Sequence, residues 1–453
     1  MARTRVQYVC QQCGRAAAKP LGRCPQCGAW NSMVSETVAP SRPATRRASG
    51  DGPVRLAEIQ GAEEVRYPLS IEEFARVLGG GVVPGSLVLV GGDPGIGKST
   101  LLLQMALVMA DTGRVLYVSG EESVRQIQSR ARRLPGGDSP PDDLYLLTET
   151  DLGAILAQVQ TLQPRIVVID SIQTVQVPEL DTGAGSISQV REAALRLQAQ
   201  AKSSDAAVFV VGHVTKDGAI AGPKVLEHIV DTVLYLEGDP LHAFRLLRAV
   251  KNRFGPTTEV GVFAMGEAGM VEVPNPSEAF LAERVLQAPG SAVAVTMEGT
   301  RPLLVEIQGL TSPTAFGNPR RTANGVDFNR LLLTLAVLTR RVGLRLADQD
   351  VFVNVVGGLR LEEPAADLAV AVAVASSLQD KALPADLAFV GEVGLTGELR
   401  SVSQMPTRLR EAAKLGFRRV IVPKSLHTDQ APAGIEVIAV RSVREALDRS
   451  WAP

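Results

Sequence analysis

Four cysteines near the start of the chain are spaced like metal ligands. Cys10 and Cys13 form one C-x-x-C pair, Cys24 and Cys27 form a second, and each pair is followed directly by a glycine. Two such pairs can present four thiolates to one tetrahedral ion, which predicts a closed structural Zn²⁺ site. A redox-active dithiol pair is the alternative that this spacing leaves open.

The most specific motif is a glycine-rich loop between a strand and a helix. An apolar strand, Ser86 to Val90, is followed by Gly91, by the loop GDPGIGKST, and then by a helical pattern. This is the phosphate loop G-x-x-x-x-G-K-[S/T] in its strand–loop–helix setting, in which backbone N–H groups and the lysine bind phosphate and the serine binds Mg²⁺. The predicted site for ATP and Mg²⁺ comprises Gly92, Asp93, Pro94, Gly95, Ile96, Gly97, Lys98, Ser99 and Thr100.

Two acidic residues at strand ends are candidates for nucleotide hydrolysis, which needs a carboxylate at the metal and a group that orients water. Asp170 closes the apolar strand IVVID and is predicted to hold Mg²⁺, directly or through its water. Glu121, in VSGEES, is predicted to polarise the attacking water. Helix capping is the alternative for both, and it is the favoured role for Glu122. His213, at the end of VVGH, is either a γ-phosphate sensor or a structural histidine.

The elements that position these residues alternate between strands and helices. From about residue 56 to AAVFVVGHV, short β-branched runs alternate with helical patterns, including a helix near 189–203, which predicts an α/β fold with a parallel sheet covered on both faces. Three closely spaced strands, TVLYLEGD, AFRLLRAVKNR and EVGVFAMG, predict an antiparallel extension at its edge. After PNPSEAF breaks this pattern, the remaining runs predict an α+β domain. The predicted divisions are a four-cysteine zinc module at 1–35, a flexible linker at 36–55, an ATPase domain at 56–275 and a C-terminal domain at 276–453.

Composition excludes several classes of protein. The chain has 453 residues, of which 45% are hydrophobic and 21% charged, as is typical of a globular protein with about three domains. A formal charge of −1 argues against binding nucleic acid by bulk positive charge, although the first 50 residues hold eight basic residues and one acid. The longest apolar run, Leu368 to Ala375, is far shorter than the roughly 20 residues of a membrane helix. We therefore expect a cytoplasmic protein without membrane contact.

The order of the motifs resembles that of a known family. The C-x-x-C pairs, GGDPGIGKST, YVSGEES, VVIDS, GHVTKDG and KNRFG (251–255) together resemble the RadA (Sms) family of bacterial DNA repair proteins over essentially the whole chain. KNRFG after a RecA-like core is the most diagnostic of these motifs. The resemblance implies a DNA-dependent ATPase that forms a hexameric ring, binds single-stranded and branched DNA, works with a RecA-type recombinase and promotes branch migration. It also implies an N-terminal zinc finger and a C-terminal domain similar to Lon protease.

The resemblance also implies roles for individual residues. Asp170 becomes the Walker B acid and Glu121 the catalytic glutamate. In RecA-like rings ATP lies between subunits, so a cation of the neighbouring subunit completes the site, and Lys251 and Arg253 are the candidates. A solvated hairpin tip and direct DNA contact are the alternatives for this pair.

Two segments are candidate DNA loops. SIQTVQVPELDTGAGSIS, after Asp170, is long enough to predict a mobile loop, but it has no Lys or Arg, so any phosphate contact there must use backbone amides and hydroxyls. TKDGAIAGPK offers Lys216 and Lys224 and is the better electrostatic partner. Neither segment contains an aromatic residue, which disfavours extensive base stacking by these loops.

The Lon resemblance requires a serine nucleophile and a lysine base. Aligning the nucleophile stretch of Lon proteases with EPAAD (363–367) places Ala365 at the serine, and aligning the later stretch with SQMP (403–406) places Pro406 at the lysine. Neither residue can perform that chemistry, and Ser376 and Ser377 lie a helix away. We therefore expect a platform for oligomerisation and DNA binding. Five arginines are candidate phosphate contacts, with ordinary surface arginines as the alternative: Arg320, Arg321, Arg340, Arg341 and Arg345.

These observations leave two functions open. The leading hypothesis is an ATP-driven DNA motor that extends strand exchange in recombinational repair. The second is an ATP-switched scaffold that loads recombination partners on DNA without translocating. An ATP-dependent protease is disfavoured by Ala365 and Pro406.

Overall fold

The computed structural model describes residues 5–10, 15–26, 28–38, 65–213, 226–238, 243–315, 317–424 and 432–451. The chain divides into two compact units. The first is Met1–Pro240 with Arg245–Glu272, and the second is Leu241–Phe244 with Val273–Pro453. In the part of the chain that is described, no helix has both the length and the hydrophobicity needed to cross a membrane.

The first unit begins with a three-stranded antiparallel sheet. Its central strand is β1 (Arg5–Cys10), which lies between β2 (Ala16–Ala17) and β3 (Met33–Val38). Because β1 pairs with β3 along its whole length, β3 extends three residues into the segment predicted to be a linker from residue 36. The rest of that predicted linker lies outside the described residues.

Among the described residues, the main sheet of the first unit has nine strands. In chain order they are β4 (Leu87–Gly92), β5 (Val115–Ser119), β6 (Leu144–Thr148), β7 (Ile166–Asp170), β8 (Ala207–His213), β9 (Thr232–Glu237), β10 (Phe244–Asn252), β11 (Val260–Gly266) and β12 (Gly269–Glu272). In space they follow the order β12-β11-β10-β9-β4-β8-β7-β5-β6. The six strands from β9 to β6 are parallel, as the alternation of strands and helices predicted.

Helices cover both faces of this sheet. They are α1 (Glu72–Leu78), α2 (Lys98–Ala110), α3 (Val124–Ala131), α4 (Leu152–Leu162) and α5 (Ile187–Ser204). Successive residues of a strand point to opposite faces, so Val88 and Val90 join the core under α1, α2 and α3, whereas Leu87 and Leu89 join the core under α4 and α5. Two buried faces explain why β4 is apolar without interruption.

The antiparallel extension begins one strand later than predicted. The prediction is wrong for TVLYLE, because β9 pairs in parallel with β4. Eighteen residues separate β8 from β9, and this is enough chain for the crossover that a parallel pair needs. Antiparallel pairing starts where β10 returns along β9, and β12 then returns along β11.

The second unit is an α+β domain built on a seven-stranded mixed sheet in the order β15-β16-β14-β13-β17-β20-β21, with β18 and β19 forming a separate pair. Its strands are β13 (Ser291–Glu298), β14 (Arg301–Pro313), β15 (Arg321–Asn324), β16 (Gln349–Val355), β17 (Leu387–Phe389), β18 (Glu392–Val393), β19 (Leu399–Arg400), β20 (Arg419–Pro423) and β21 (Glu436–Val440). Its helices are α6 (Pro276–Leu281), α7 (Phe328–Val337), α8 (Asp367–Gln379), α9 (Met405–Lys414) and α10 (Val443–Ser450).

Two helices show how local sequence determines this unit. PNPSEAF, predicted only to break the pattern, forms α6, because the Asn275 side chain caps its first turn and Pro276 occupies a first-turn position that needs no N–H donor. The apolar run Leu368 to Ala375 lies in α8 and is buried along its whole length. A helix that is apolar on all sides belongs in a protein core, and α8 packs against β13 and β14.

Candidate nucleotide and zinc sites

The glycine-rich loop lies at the carboxyl end of the parallel strands, between β4 and α2. Gly92 has a φ of 148°, and a Cβ atom there would lie 2.5 Å from the carbonyl oxygen of Leu236 on the neighbouring strand. Gly97, which precedes α2, has a φ of 113°, in the range that glycine tolerates best. These two positions therefore need glycine, and they direct the first N–H groups of α2 toward any bound phosphate.

Lys98 is held against the loop from which it comes. Its ammonium donates hydrogen bonds to the carbonyl oxygens of Gly92 at 2.8 Å and Asp93 at 2.9 Å, and the residue is only 3% exposed. Burial lowers the pKa of Lys98, and the negative charges of Asp170, Asp93 and Glu121 offset part of that effect. Phosphate oxygens are stronger acceptors than carbonyls, so a bound nucleotide competes for this cation.

The two carboxylates predicted for hydrolysis lie at the same edge as Lys98. Ser119 of β5 is opposite Asp170 of β7, so Glu121, two residues beyond Ser119, follows a strand adjacent to the one that Asp170 ends. The Ser171 hydroxyl donates to Oε1 of Glu121 at 2.8 Å. Asp170 is 8% exposed, whereas Glu121 is exposed. This arrangement provides a buried carboxylate for a metal and an accessible one for water.

Two side chains that the sequence analysis did not single out contact Asp170. The Tyr117 hydroxyl donates to Oδ2 of Asp170 at 2.6 Å, and Arg130 of α3 approaches the same oxygen at 4.0 Å. Burial, followed by the negative charge of Asp170, raises the pKa of Tyr117 well above its usual value. The one sequence signal was a tyrosine inside the otherwise apolar strand VLYVS, since a buried tyrosine hydroxyl needs a partner.

Glu122 does not cap a helix, so that prediction is wrong. Ser123 is the N-cap of α3, and it forms a capping box with Gln126. Glu122 instead pairs with Arg130 at 2.9 Å. A serine one residue later provides the shorter side chain that reaches the first N–H groups of the helix.

The remaining candidates near this edge are only partly described. The backbone of His213 is opposite Gly92, which places this residue beside the first glycine of the loop. The first part of the segment after Asp170, which was predicted to be mobile, is packed, because Ile172, Val175 and Val177 are almost fully buried and the Gln189 side chain exchanges hydrogen bonds with the Val177 backbone. Lys216 and Lys224 lie outside the described residues.

Lys251 and Arg253 are paired within their own subunit. The Lys251 ammonium donates to the carbonyl oxygens of Glu227 and Val230, the latter at 2.7 Å, and the Arg253 guanidinium lies 2.8 Å from a carboxylate oxygen of Asp231. Burial and the nearby charge of Arg253 lower the pKa of Lys251. The Arg253 side chain remains 49% exposed.

The direction of β10 separates this pair from the glycine-rich loop. Asn252 is opposite Thr232, and Thr232 is opposite Val88, near the start of β4. Gly92, where the loop begins, lies at the other end of β4, and four residues of strand span about 13 Å. Lys251 and Arg253 therefore lie at the edge formed by the amino ends of the parallel strands. This edge is opposite to the carboxyl edge, which carries their own phosphate loop.

The described cysteines lie in two matching turns. The N–H of Cys10 donates to the carbonyl of Arg15 at 2.9 Å, and the N–H of Cys24 donates to that of Ala29 at 2.8 Å, so each of these cysteines is bonded to the carbonyl five residues later. Both Cys10 and Cys24 are buried, while Cys13 and Cys27 lie outside the described residues. Paired turns with inward cysteines fit a four-thiolate zinc site, for which Cys10, Cys13, Cys24 and Cys27 would be the ligands.

Comparison with known proteins places the chain in a family. It is 53% identical to the DNA repair protein RadA of Bacillus subtilis, over 99% of both chains, and 52% identical to the RadA proteins of Streptococcus pyogenes serotype M1 and Halalkalibacterium halodurans, again over 99% of each. The chain belongs to the RadA family of DNA repair proteins.

Three family models match separate parts of this RadA family member. A rubredoxin metal binding domain matches residues 8–35, an AAA domain matches 59–219, and the ChlI subunit of Mg-chelatase matches 329–425. A solved KaiC-like protein of Pyrococcus horikoshii is 19% identical, covering 46% of this chain and 99% of its own, with a TM-score of 0.39. The family models and the RadA relatives together indicate that the chain combines a zinc ribbon, a RecA-like ATPase core and a Lon-like C-terminal domain.

In the Lon-like domain, an ion pair lies next to the positions aligned with the Lon dyad. Ala365 is fully buried just before α8, and Pro406 is in the first turn of α9. Arg408, also fully buried, pairs with Glu363 and donates to the carbonyl oxygen of Val295 at 2.8 Å. This pair was not predicted from the sequence, because its members are 45 residues apart and Arg408 lies outside the stretches aligned with Lon proteases.

The serines and arginines singled out in this domain have defined positions. The Ser376 hydroxyl is buried near the end of α8, where it accepts from the N–H of Gly290 at 2.9 Å, and Ser377 accepts from that of Thr311 at 2.9 Å. Of the arginines, Arg320 pairs with Asp350 at 2.8 Å but keeps 58% of its side chain exposed. The others are Arg321, at the start of β15, Arg340 and Arg341, in the turn after α7, and Arg345, which is exposed.

Proposed function

We propose that this RadA family member is a DNA-dependent ATPase of recombinational repair that works as a ring with nucleotide sites between its subunits. In this proposal the ring binds single-stranded and branched DNA, drives branch migration, and acts in the cytoplasm with a RecA-type recombinase. The supporting observation is the placement of Lys251 and Arg253 at the sheet edge opposite to their own phosphate loop. Cations at that edge cannot serve the nucleotide of their own subunit.

A closed ring of head-to-tail subunits provides the missing partner. In such a ring the same two surfaces meet at every interface. In this proposal those surfaces are the edge that carries Lys251 in one subunit and the phosphate loop of the next. An added cation at the γ-phosphate stabilises the charge that spreads over its oxygens during transfer. For this role Lys251 exchanges the carbonyl oxygens of Glu227 and Val230 for phosphate oxygens, which are stronger acceptors.

The remaining roles follow from positions at the carboxyl edge. Lys98 leaves its two carbonyl acceptors and binds the phosphates of ATP, while the N–H groups of the glycine-rich loop surround them. Ser99 and Asp170 would hold Mg²⁺, which would neutralise phosphate charge when bound. Glu121, exposed and oriented by Ser171, accepts a proton from the attacking water.

A subunit-mixing experiment tests the shared site. Lys98→Ala subunits lack a working loop and Lys251→Ala subunits lack the cation, so each variant alone hydrolyses ATP slowly with DNA present. In an equal mixture, about a quarter of the interfaces join an intact loop to an intact cation, so the rate recovers to about a quarter of the parental value. Arg248→Ala, which removes another cation from β10 but keeps both the loop and Lys251, is the matched control: alone it hydrolyses ATP at the parental rate, and its equal mixture with Lys251→Ala gives only the average of the two components, about half of the parental rate.

Three results contradict this proposal. If a Lys251→Ala protein hydrolyses ATP at the parental rate, Lys251 has no role at the nucleotide. If the mixture of Lys98→Ala and Lys251→Ala shows only the average rate of its two components, the two residues act within the same subunit. ATP turnover that is the same with and without oligonucleotide, in a protein that binds none, excludes a DNA-dependent ATPase.

A scaffold that needs only ATP binding is the second candidate. The candidate DNA loops contain Lys216 and Lys224 but no aromatic residue. This composition is compatible with binding to DNA phosphates through charge alone. Glu121→Gln, which keeps the shape of the side chain but removes the base, separates the two. A motor loses branch migration in this variant, whereas a scaffold retains its activity because ATP binding is unaffected.

A further inference from the structure

Trp30 of the zinc ribbon is unusually exposed for its residue type. Its exposed fraction is 72%, and it is one of only two tryptophans in the chain. It follows the second cysteine turn, where its backbone forms an antiparallel bridge with that of Arg23. Because the two bridged residues bracket Cys24, the ribbon fixes the backbone from which the indole ring projects.

Arg23 organises the tryptophan ring. Its guanidinium carbon lies 5.8 Å from the ring centroid, and its Nε donates to the carbonyl oxygen of Gly28 at 3.0 Å. The arginine is therefore fixed to the turn and contacts one face of the ring. With 72% of Trp30 exposed, the opposite face is open to solvent.

The net charge of the segment that contains Trp30 indicates which kind of ligand it would bind. Residues 1–35 contain five basic residues and no acidic one. Four thiolates and one Zn²⁺ carry about −2, so this segment keeps a net charge of about +3 with zinc bound. Arg15, Lys19 and Arg23 are exposed. A flat apolar ring that contacts Arg23, in a segment of net positive charge, is complementary to a ligand that combines flat rings with phosphates.

We propose that Trp30 and Arg23 form a stacking platform for one unpaired base of single-stranded DNA, with Arg15 and Lys19 binding the adjacent phosphates. This inference rests on the proposed function, because it requires that the chain binds DNA. It adds a site outside the ATPase core, whose candidate loops contain no aromatic residue. A base on an aromatic ring needs no particular sequence, since every base has a π-face, which suits a protein that acts on any sequence.

The two tryptophans allow a direct experiment on the full-length, zinc-loaded protein. Trp451 lies at the other end of the chain, where its indole N–H donates to the carbonyl oxygen of Ala382 at 3.1 Å. A Trp451→Phe variant leaves Trp30 as the only tryptophan, and its fluorescence is followed during titration with unlabelled oligothymidylate. Anisotropy of the same oligonucleotide, carrying a fluorophore, measures binding independently. We expect the Trp30 emission to be quenched in proportion to the bound fraction.

Substitutions then measure the contribution of the ring. Trp30→Leu weakens oligothymidylate binding by roughly 5- to 150-fold, the range for one stacked base, whereas Trp30→Phe, which keeps an aromatic face, retains most of the affinity. Leu21→Ala, which removes another exposed apolar side chain of the same ribbon, leaves the affinity unchanged. Zinc content is measured for each variant, and if Trp30→Leu loses zinc, the quenching in the Trp451→Phe protein decides the question.

The outcomes are distinguishable. Oligothymidylate that binds by anisotropy without quenching Trp30 overturns the stacking platform and leaves the proposed function intact. The absence of any binding by anisotropy overturns both. Quenching by a polyglutamate peptide that exceeds quenching by oligothymidylate also overturns the platform, because the surface then binds an acidic protein partner.

Discussion

Replacing Tyr117 with phenylalanine removes one hydroxyl and keeps the ring that fills the core. That hydroxyl donates to Asp170 at 2.6 Å, and a hydrogen bond to a charged group is worth about 1.5–3 kcal/mol. Arg130 does not replace this bond in the variant, because its guanidinium lies 4.0 Å from Oδ2 of Asp170, which is beyond hydrogen-bonding distance. Asp170 therefore loses its orienting partner while the surrounding packing is retained.

The expected result is a weaker magnesium site. If the loss of this hydrogen bond weakens the free energy of Mg²⁺ binding by about 1.5 kcal/mol, the Mg²⁺ concentration that gives half of the maximal ATPase rate rises about tenfold. Saturating Mg²⁺ restores most of the rate, because Lys98 and Glu121 are untouched. Tyr145→Phe is the matched control, since Tyr145 lies on the edge strand β6 and is 39% exposed. A Tyr117→Phe protein with the parental Mg²⁺ dependence would refute the reasoning.

The same variant changes the response of stability to alkaline pH. Burial and Asp170 raise the pKa of Tyr117 well above the value of about 10 for an unfolded tyrosine. Between those two values the unfolded chain loses a proton that the folded protein retains, so the free energy of unfolding falls as pH rises above about 10. This residue contributes up to about 1.4 kcal/mol per pH unit to that fall, and Tyr117→Phe removes the contribution. Chemical denaturation of both proteins from about pH 9 to about pH 11 measures the difference.

Three further predictions concern single side chains. Gly92→Ala places a Cβ atom 2.5 Å from the Leu236 carbonyl oxygen, so we expect nucleotide binding to be lost in an equilibrium binding assay; binding at the parental affinity would show that the loop adapts. Arg408→Leu removes a fully buried cation and leaves the partly buried Glu363 without its partner, so we expect the second unit to be destabilised by about 3 kcal/mol in urea, and adding Glu363→Leu to recover part of this loss. Hydrogen bonds, first from the Thr396 hydroxyl, lower the pKa of Glu398 to about 2, so its stabilisation is complete above the unfolded value of about 4.3 and is lost as pH falls toward 2. Thermal unfolding of Glu398→Gln between about pH 5 and about pH 3 should therefore show a weaker pH dependence than the parental protein, and equal dependence would contradict the assignment.

The nucleotide-binding and metal-binding motifs could be predicted from the sequence because each is short and contiguous. The phosphate loop, the two cysteine pairs and the strand that ends in Asp170 depend on neighbouring residues and on local backbone conformation, in particular at Gly92 and Gly97. The alternation of apolar strands with helical patterns likewise predicted the parallel sheet and its two covered faces. Membership of the RadA family followed from the order of these same motifs.

Features that depend on long-range pairing were not predictable in this way. The direction of β9 depends on the course of the chain between β8 and β9, and it determines which edge of the sheet carries Lys251. The contacts of Tyr117 with Asp170 and of Arg408 with Glu363 each join residues about 50 positions apart. The sequence of a strand specifies which of its residues point inward. The strand with which it pairs and the direction of that pairing depend on the burial and hydrogen bonding of the whole sheet, and these interactions form only when the chain folds.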